Sequence, residues 1–362
     1  MSATLSWYIA RHFLIWLAIF FIGLSFIILV ADLLELLRRA AVRPDVSFST
    51  VIEMALLKLP HTAQELLPFA LLFSAIMAFW RLTRTNELIV ARAIGVSVWQ
   101  FMLPAITAAV MVGAFKVLVF NSIAAVTYAK FEVLEAKMLK GQQDLLTVSN
   151  SGLWLRQTAA DGTAIIHAPH ASSDLRTLDT VTVLLYKPDN SFAARIDADH
   201  ARLENGYWQL DNAYEAASGK PSEPKGTMQL ATDFTVEKIQ ESFARPETMS
   251  FWDLPAFIDL MQRAGFSATR HRLYFQSQLA VPMLLSAMIL IGATFSLRPT
   301  RRGGVGGMIA SGIAAGFLLY FLSDLVYALG LSTRVPVMLA AWAPAVVSTL
   351  LGLAMLLHLE DG

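Results

Sequence analysis

Six long apolar runs surround one polar insert, residues 141–245, and this alternation limits the chain more than any other feature. The runs are Phe13–Ala31, Leu66–Trp80, Trp99–Phe120, Leu273–Leu297, Val305–Ser323 and Val335–Leu357. A helix rises about 1.5 Å per residue, so about 20 apolar residues cross a hydrocarbon core of about 30 Å. The second run is short, and upstream Leu59, Pro60 and Ala63 are expected to extend it. Composition agrees: 15% of residues are charged and 56% apolar, where soluble domains carry about 25% charge. The sequence therefore predicts a polytopic α-helical membrane protein with six transmembrane helices and an inserted all-β domain.

A net charge of zero provides no global field to recruit nucleic acid. Cysteine is absent, which suits an insert facing an oxidising compartment. Asp32 and Glu35 follow the first run with no small-residue cleavage site, so that run is expected to be a retained helix rather than a signal peptide. Orientation follows from basic residues in the short connections. One side holds Arg11, Arg81, Arg84, Arg92, Arg298, Arg301 and Arg302; the other holds Arg38, Arg39, Arg43, Lys58 and Arg334. The richer side, with both termini, is expected in the cytoplasm and the insert outside.

The insert, residues 141–245, separates a first part (residues 1–140, three spans) from a last part (residues 246–362, three spans). Asp161-Gly162 and Asn205-Gly206 are hairpin-turn dipeptides between alternating stretches such as Thr180–Tyr186 and Tyr207–Leu210. A sandwich, a jelly roll or an open barrel fits this pattern. His167 and His170 read as surface histidines, and no residue set in the insert resembles a catalytic site. Tyr128–Lys140 carries apolar residues at helical spacing up to Gly141, while Ser250–Asp253 and Thr50–Glu53 read as capping boxes.

Between the second and third runs lies Arg84–Gly95, where Thr85 or Asn86 can cap a helix, Glu87 suits its positive first turn and Gly95 ends it. Two turns are too short to be stable alone. Such a helix rests either on headgroups or in a cytoplasmic partner. The chain lacks a phosphate-binding glycine loop, a His-Glu-x-x-His motif and a Gly-x-Ser-x-Gly elbow. No row of intramembrane acids suggests ion coupling. If work is done here, its energy arrives from another protein or an ion gradient, and the lack of such acids disfavours the gradient.

Asp32, Glu35 and Arg39 share one stripe at the end of the first span, beside Arg38. They form either a self-neutralised ladder or a contact for anionic lipid, since guanidinium forks suit phosphate oxygens. Lys116 and Asp324 either snorkel to the interface or line a polar cavity, and His61 with Glu65 invites the same two readings. The fifth run carries Gly303, Gly304, Gly306, Gly307, Gly312 and Gly316, a smooth face for a helix of this subunit or of another chain.

Several short patterns recur in a fixed order: Leu59-Pro60 to Pro68, Asn86-Glu-Leu to Ala93-Ile-Gly95, Gly152-Leu-Trp154 and Tyr320-Phe-Leu-Ser-Asp324. With the six-span plan they resemble the LptF/LptG family of lipopolysaccharide-export permeases over nearly the whole chain, more its LptG branch than its LptF branch. The resemblance implies an inner-membrane exporter subunit whose β-jellyroll is periplasmic. It implies pairing with a homologous LptF-like permease on a dimeric LptB-like ATPase, which uses the ATP and Mg²⁺; this chain binds no cofactor and is not itself an enzyme. Lipopolysaccharide would pass from the outer leaflet through a gate of the first and fifth spans to LptC-like and LptA-like jellyroll proteins. Carried onto this sequence, Glu87, Asn86, Arg92 and Gly95 face the ATPase. Arg38, Arg39, Asp32, Glu35 and Lys116 form the lipid-contact region, and Gly307, Gly312, Gly316 and Asp324 the gate. Family members often place lysines where this chain has Arg38 and Arg39. On the residues alone, a membrane sensor or assembly scaffold with a ligand-binding β domain is the other class.

Overall fold

The computed structural model describes residues 3–43, 46–93, 95–140, 145–149, 152–159, 162–172, 176–189, 191–217, 221–232, 234–235, 239, 245–263, 267–296 and 305–360. The basic cluster Arg298, Arg301 and Arg302, with Gly303, Gly304, Gly141 and Asp161, lies outside them. The chain forms two compact units: Met1–Leu134 with Ser250–Trp252 and Arg272–Gly362, and Glu135–Met249 with Asp253–His271.

The first unit holds the membrane helices. In chain order they are α1 (Ala3–Ala40), α2 (Phe48–Glu65), α3 (Leu67–Arg84), α4 (Glu87–Ala93), α5 (Val98–Phe115), a π-helical turn Lys116–Phe120 and α6 (Asn121–Glu135). Beyond the insert come α8 (Thr269–Ser296), α9 (Val305–Leu331) and α10 (Val337–Glu360); a short α7 (Leu254–Arg263) precedes them in the second unit. Six helices are long and apolar enough to cross a membrane: α1, α3, the α5–α6 run, α8, α9 and α10.

Helix α3 is the axis of this unit. Ala70, Leu71, Leu72, Ala75, Ile76, Ala78 and Phe79 are almost fully buried, in one core with Ile9 and Phe13 of α1, Phe101 and Met102 of α5, and Leu285 and Ile289 of α8. In lipid no hydrophobic force favours one apolar neighbour over another, so close approach through small residues has to hold helices together. The alanines of α3 supply it, as does Gly113 of α5, where an added Cβ would lie 2.7 Å from Pro282 of α8.

Two helix starts differ from the sequence reading. Leu59, Pro60 and Ala63 do not lengthen the second span; they end a separate α2, which breaks at Leu66 before Pro68 opens α3. Proline suits a first helical turn, and Pro68 stands in the first turn of α3 directly after the break. The N-cap of α2 is Ser47, whose hydroxyl accepts from the Thr50 N–H, rather than Thr50 itself.

Among its described residues the second unit holds, besides α7, eight antiparallel strands: β1 (Leu145–Ser149), β2 (Gly152–Ala159), β3 (Gly162–Ala168), β4 (His170–Ala171), β5 (Thr177–Tyr186), β6 (Phe192–Glu204), β7 (Tyr207–Ala217) and β8 (Glu223–Ala231). Neighbour order follows chain order, with β4 appended to β5. The jellyroll-like domain is thus one continuous sheet. It curls: the Gln157 amide of β2 donates to the Ala231 carbonyl at 2.9 Å and accepts from the Thr232 hydroxyl at 2.6 Å. Leu153, Leu155, Ile166, Val183, Ile196, Trp208 and Leu210 line the buried face, joined by Met261 of α7. In water each such side chain contributes about 1.5–3 kcal/mol.

A crease crosses this sheet. Inward positions jump by three rather than two at Leu178/Val181, Ala198/Ala201 and Leu210/Ala213. Thr180, Asn212 and Gly226 at the jump have φ of 56°, 54° and 69°. Asn212 donates to Asp199 across it at 3.0 Å. Irregular steps of this kind bend strands and add twist.

Candidate functional site

The turn Arg84–Gly95 is built as its sequence suggests, with one difference. Asn86 adopts a left-handed conformation (φ 59°), and its carbonyl accepts the first α4 bond from the Val90 N–H at 3.0 Å. Thr85 is therefore not an N-cap: it ends α3, its hydroxyl reaching the Arg81 carbonyl and, at 2.9 Å, Glu87 Oε1. The Tyr8 hydroxyl of α1 also approaches Glu87, at 3.4 Å. Leu88 and Ala91 bury one face of α4 in the helix core, while Val90 on the other face is 61% exposed. Gly95 leaves the turn at φ 87° with open space around it, and Arg92 lies within α4. A seven-residue helix is held here by two apolar contacts and presents the rest of its surface.

At the far end of α1, Glu35 is the hub. It accepts two bonds from Arg38 at 3.0 Å and one from Arg39 at 2.8 Å. Asp32 departs from the expected stripe: it takes a 2.6 Å bond from Lys58 of α2, tying the two helices together. Both arginine side chains remain at least half exposed at this end of α1. Exposed pairs of this kind contribute about 0.2–1 kcal/mol, which a phosphate contact can displace. We expect Arg38→Glu with Arg39→Glu to reduce lipopolysaccharide photocrosslinking at this end of α1 by several-fold, measured with a photoreactive residue at Leu34; equal crosslinking would leave these arginines with only their salt-bridge role.

The glycine seam divides in two. A Cβ on Gly316 would lie 2.7 Å from Leu72 and one on Gly312 would collide with Ile76, so both glycines seat α9 on α3 of the same chain. Phe69 extends this contact through ring pairs with Phe317 and Tyr320 at 5.7 and 5.5 Å. Gly307 is different: it is exposed with nothing within 4 Å, so it packs nothing among the described residues of this chain. Asp324, one turn beyond Tyr320, is exposed.

Lys116 does not snorkel. It is 93% buried in the π-helical turn and bonds Gln278 of α8 at 2.5 Å, a polar partner on the neighbouring helix. His61 likewise turns inward, against the Tyr128 ring at 4.2 Å and 3.5 Å from Glu65. Sequence reading passed over the partners Gln278, Lys58 and Tyr8, and over fully buried Asn121. Their signal was a lone polar side chain within or beside an apolar run.

These features meet in one known arrangement. Residues 7–358 match the family described as lipopolysaccharide export system permease LptF/LptG. The chain belongs to the LptF/LptG family. Among its relatives, the lipopolysaccharide export system permease protein LptG of Escherichia coli K12 is 23% identical over 309 residues, 84% of each chain. That of Haemophilus influenzae is 22% identical over 302 residues, 80% of each. Membership makes the chain a permease subunit of the lipopolysaccharide export family, and its several apolar helices agree with a multi-pass membrane protein.

Proposed function

We propose that this chain is the LptG-like half of a lipopolysaccharide exporter. It pairs with a homologous LptF-like permease, both stand on a two-copy LptB-like ATPase, and lipopolysaccharide passes to LptC-like and LptA-like periplasmic jellyroll proteins. One observation carries the reading. The two spans α1 and α9 are the least covered by their own chain: 11% and 17% of their apolar windows are buried, against 61% for α8. Ile15, Ile22 and Phe26 on α1 and Phe317, Leu318 and Phe321 on α9 stand open. Two long apolar faces on non-adjacent spans suit a partner permease, with a lipid slot between the pairs.

In this reading Glu87, Asn86, Arg92 and Gly95 lie at the cytoplasmic surface with both termini, and the β unit is periplasmic. Force enters at α4, which leans on α3, α1 and α5 through Leu88 and Ala91. The chain supplies no phosphate loop, so ATP and Mg²⁺ act in the ATPase. Arg38 and Arg39 meet lipid phosphate, whereas Lys116, bonded inward, holds helices together. Gly312 and Gly316 keep α9 close to α3, while Gly307 and Asp324 stand where a partner can reach them.

Native mass spectrometry of the detergent-solubilised complex, purified through a tag on this chain, tests the assembly. The expected mass is this chain, one homologous permease and two ATPase copies. A lone chain or self-pair with lipids still bound favours the sensor or scaffold instead.

A further inference from the structure

Three residues break the division of the chain into units. Ser250, Phe251 and Trp252 pack with the membrane helices, although Met249 before them and Asp253 after them belong to the β unit. Their placement overturns the capping box expected at Ser250–Asp253. Helix α7 starts only at Leu254, and Asp253 contributes its carbonyl to the Phe257 N–H.

What holds the tripeptide is specific. Asn121, fully buried at the start of α6, accepts the Phe251 N–H on Oδ1 at 2.9 Å and donates from Nδ2 to the Tyr274 hydroxyl of α8 at 3.2 Å. Ser122 bonds Ser250 hydroxyl to hydroxyl at 2.8 Å. The Trp252 indole donates to the Leu118 carbonyl at 3.0 Å. Leu118 sits in the π-helical turn, whose widened ladder lets a carbonyl take an outside donor. Phe251 stacks on Phe275 of α8 at 5.1 Å and 17°. From the same π-turn Lys116 holds Gln278 of α8. The third span, the return tether of the β insert and the fourth span thus meet at one side chain, Asn121.

We infer that Asn121 is the positioning residue of a rigid three-way junction, which stays closed through the transport cycle and makes these three segments move as one body. The inference rests on the transport reading above. Its physical basis is cost. Opening the junction strands the buried Asn121 amide and the buried Phe251 N–H away from water, where unsatisfied polar groups are expensive. Displacement of the third or fourth span then carries Ser250, Phe251 and Trp252 with it. The two contacts of Asn121 belong to different segments, the tether at Phe251 and α8 at Tyr274, which a mere cap or turn does not need.

The chain has no cysteine, so Ser122→Cys with Ser250→Cys places a unique thiol pair where two hydroxyls now touch. The whole complex, in proteoliposomes loaded with lipopolysaccharide, is measured for ATP hydrolysed and for lipopolysaccharide delivered to a soluble jellyroll acceptor. The expected result is near-complete disulfide formation with both rates unchanged under oxidation. Asn121→Leu is expected to lower lipid delivered per ATP by about tenfold, the scale on which losing a buried bonded pair shifts a two-state equilibrium. Trp252→Phe, which keeps the ring but not the N–H, is expected to lower the same ratio less. Delivery lost on oxidation and restored by reductant overturns the inference, because the tether must then release. So does a thiol pair that fails to cross-link in the folded complex, or an Asn121→Leu complex with an unchanged ratio. Failure of the wild-type complex to deliver lipopolysaccharide would instead count against the transport reading, leaving cross-linking to report on the junction by itself.

Discussion

Glu87→Arg is expected to abolish recovery of the ATPase through a tag on this chain, while the chain still inserts and still recovers its homologous permease. The two halves of that result come from different energies. Among the described residues Glu87 accepts from the Thr85 hydroxyl at 2.9 Å and, loosely, from the Tyr8 hydroxyl at 3.4 Å. Both bonds are at the surface, and α4 is anchored by Leu88 and Ala91, which the substitution leaves alone. The fold should lose about 1 kcal/mol or less. A docked carboxylate is another matter, since truncating one partner of a desolvated interfacial pair costs about 2–5 kcal/mol and reversal adds like-charge repulsion. Glu87→Gln should therefore weaken docking less than Glu87→Arg. Affinity purification in mild detergent, with ATPase and permease quantified separately, makes the measurement. Undiminished ATPase with Glu87→Arg would reject α4 as the docking element and return it to a connector on the headgroups.

The sequence displayed what depends on spacing and hid what depends on partners. Apolar runs long enough to span a bilayer exposed all six membrane helices, and alternation with turn dipeptides exposed the β insert, because period and length are local properties. The family resemblance rested on such local patterns and held across residues 7–358. The crease did not show, because Thr180 carries no mark of the left-handed backbone that the sheet requires of it, and one Asn, though tolerant of that backbone, does not announce it inside a strand. At the ends of the spans, charge alone could not choose between snorkelling and burial. Lys116 went inward because Gln278 waited on another helix, and Asp32 left its own stripe for Lys58. Such choices belong to pairs far apart in the chain. The capping box at Ser250 failed for the same reason: Asn121 and Leu118, more than a hundred residues upstream, claim the residues that would have opened the helix.

The glycine seam permits a sharper test, since the two outcomes separate packing inside the chain from a seam between chains. Gly312→Leu is expected to destabilise the isolated subunit by about 1–3 kcal/mol, the usual cost of inserting bulk into a packed contact. The added side chain meets Ile76, which is itself buried in the core of α3 and cannot swing into lipid. Gly307→Leu has open space around it and should leave the subunit's thermal unfolding in detergent unchanged. Ile76→Ala should restore part of what Gly312→Leu loses, because the two residues touch and their effects cannot be independent. Thermal unfolding of the subunit with and without its homologous partner is the measurement. Were Gly312→Leu harmless to the subunit but fatal to pairing, α9 would sit on α3 only loosely, and its glycines would serve the second chain. If instead Gly307→Leu alone weakens pairing, the two ends of α9 divide the work. The glycines nearer its middle fasten the helix to α3, and those at its start meet the neighbouring permease.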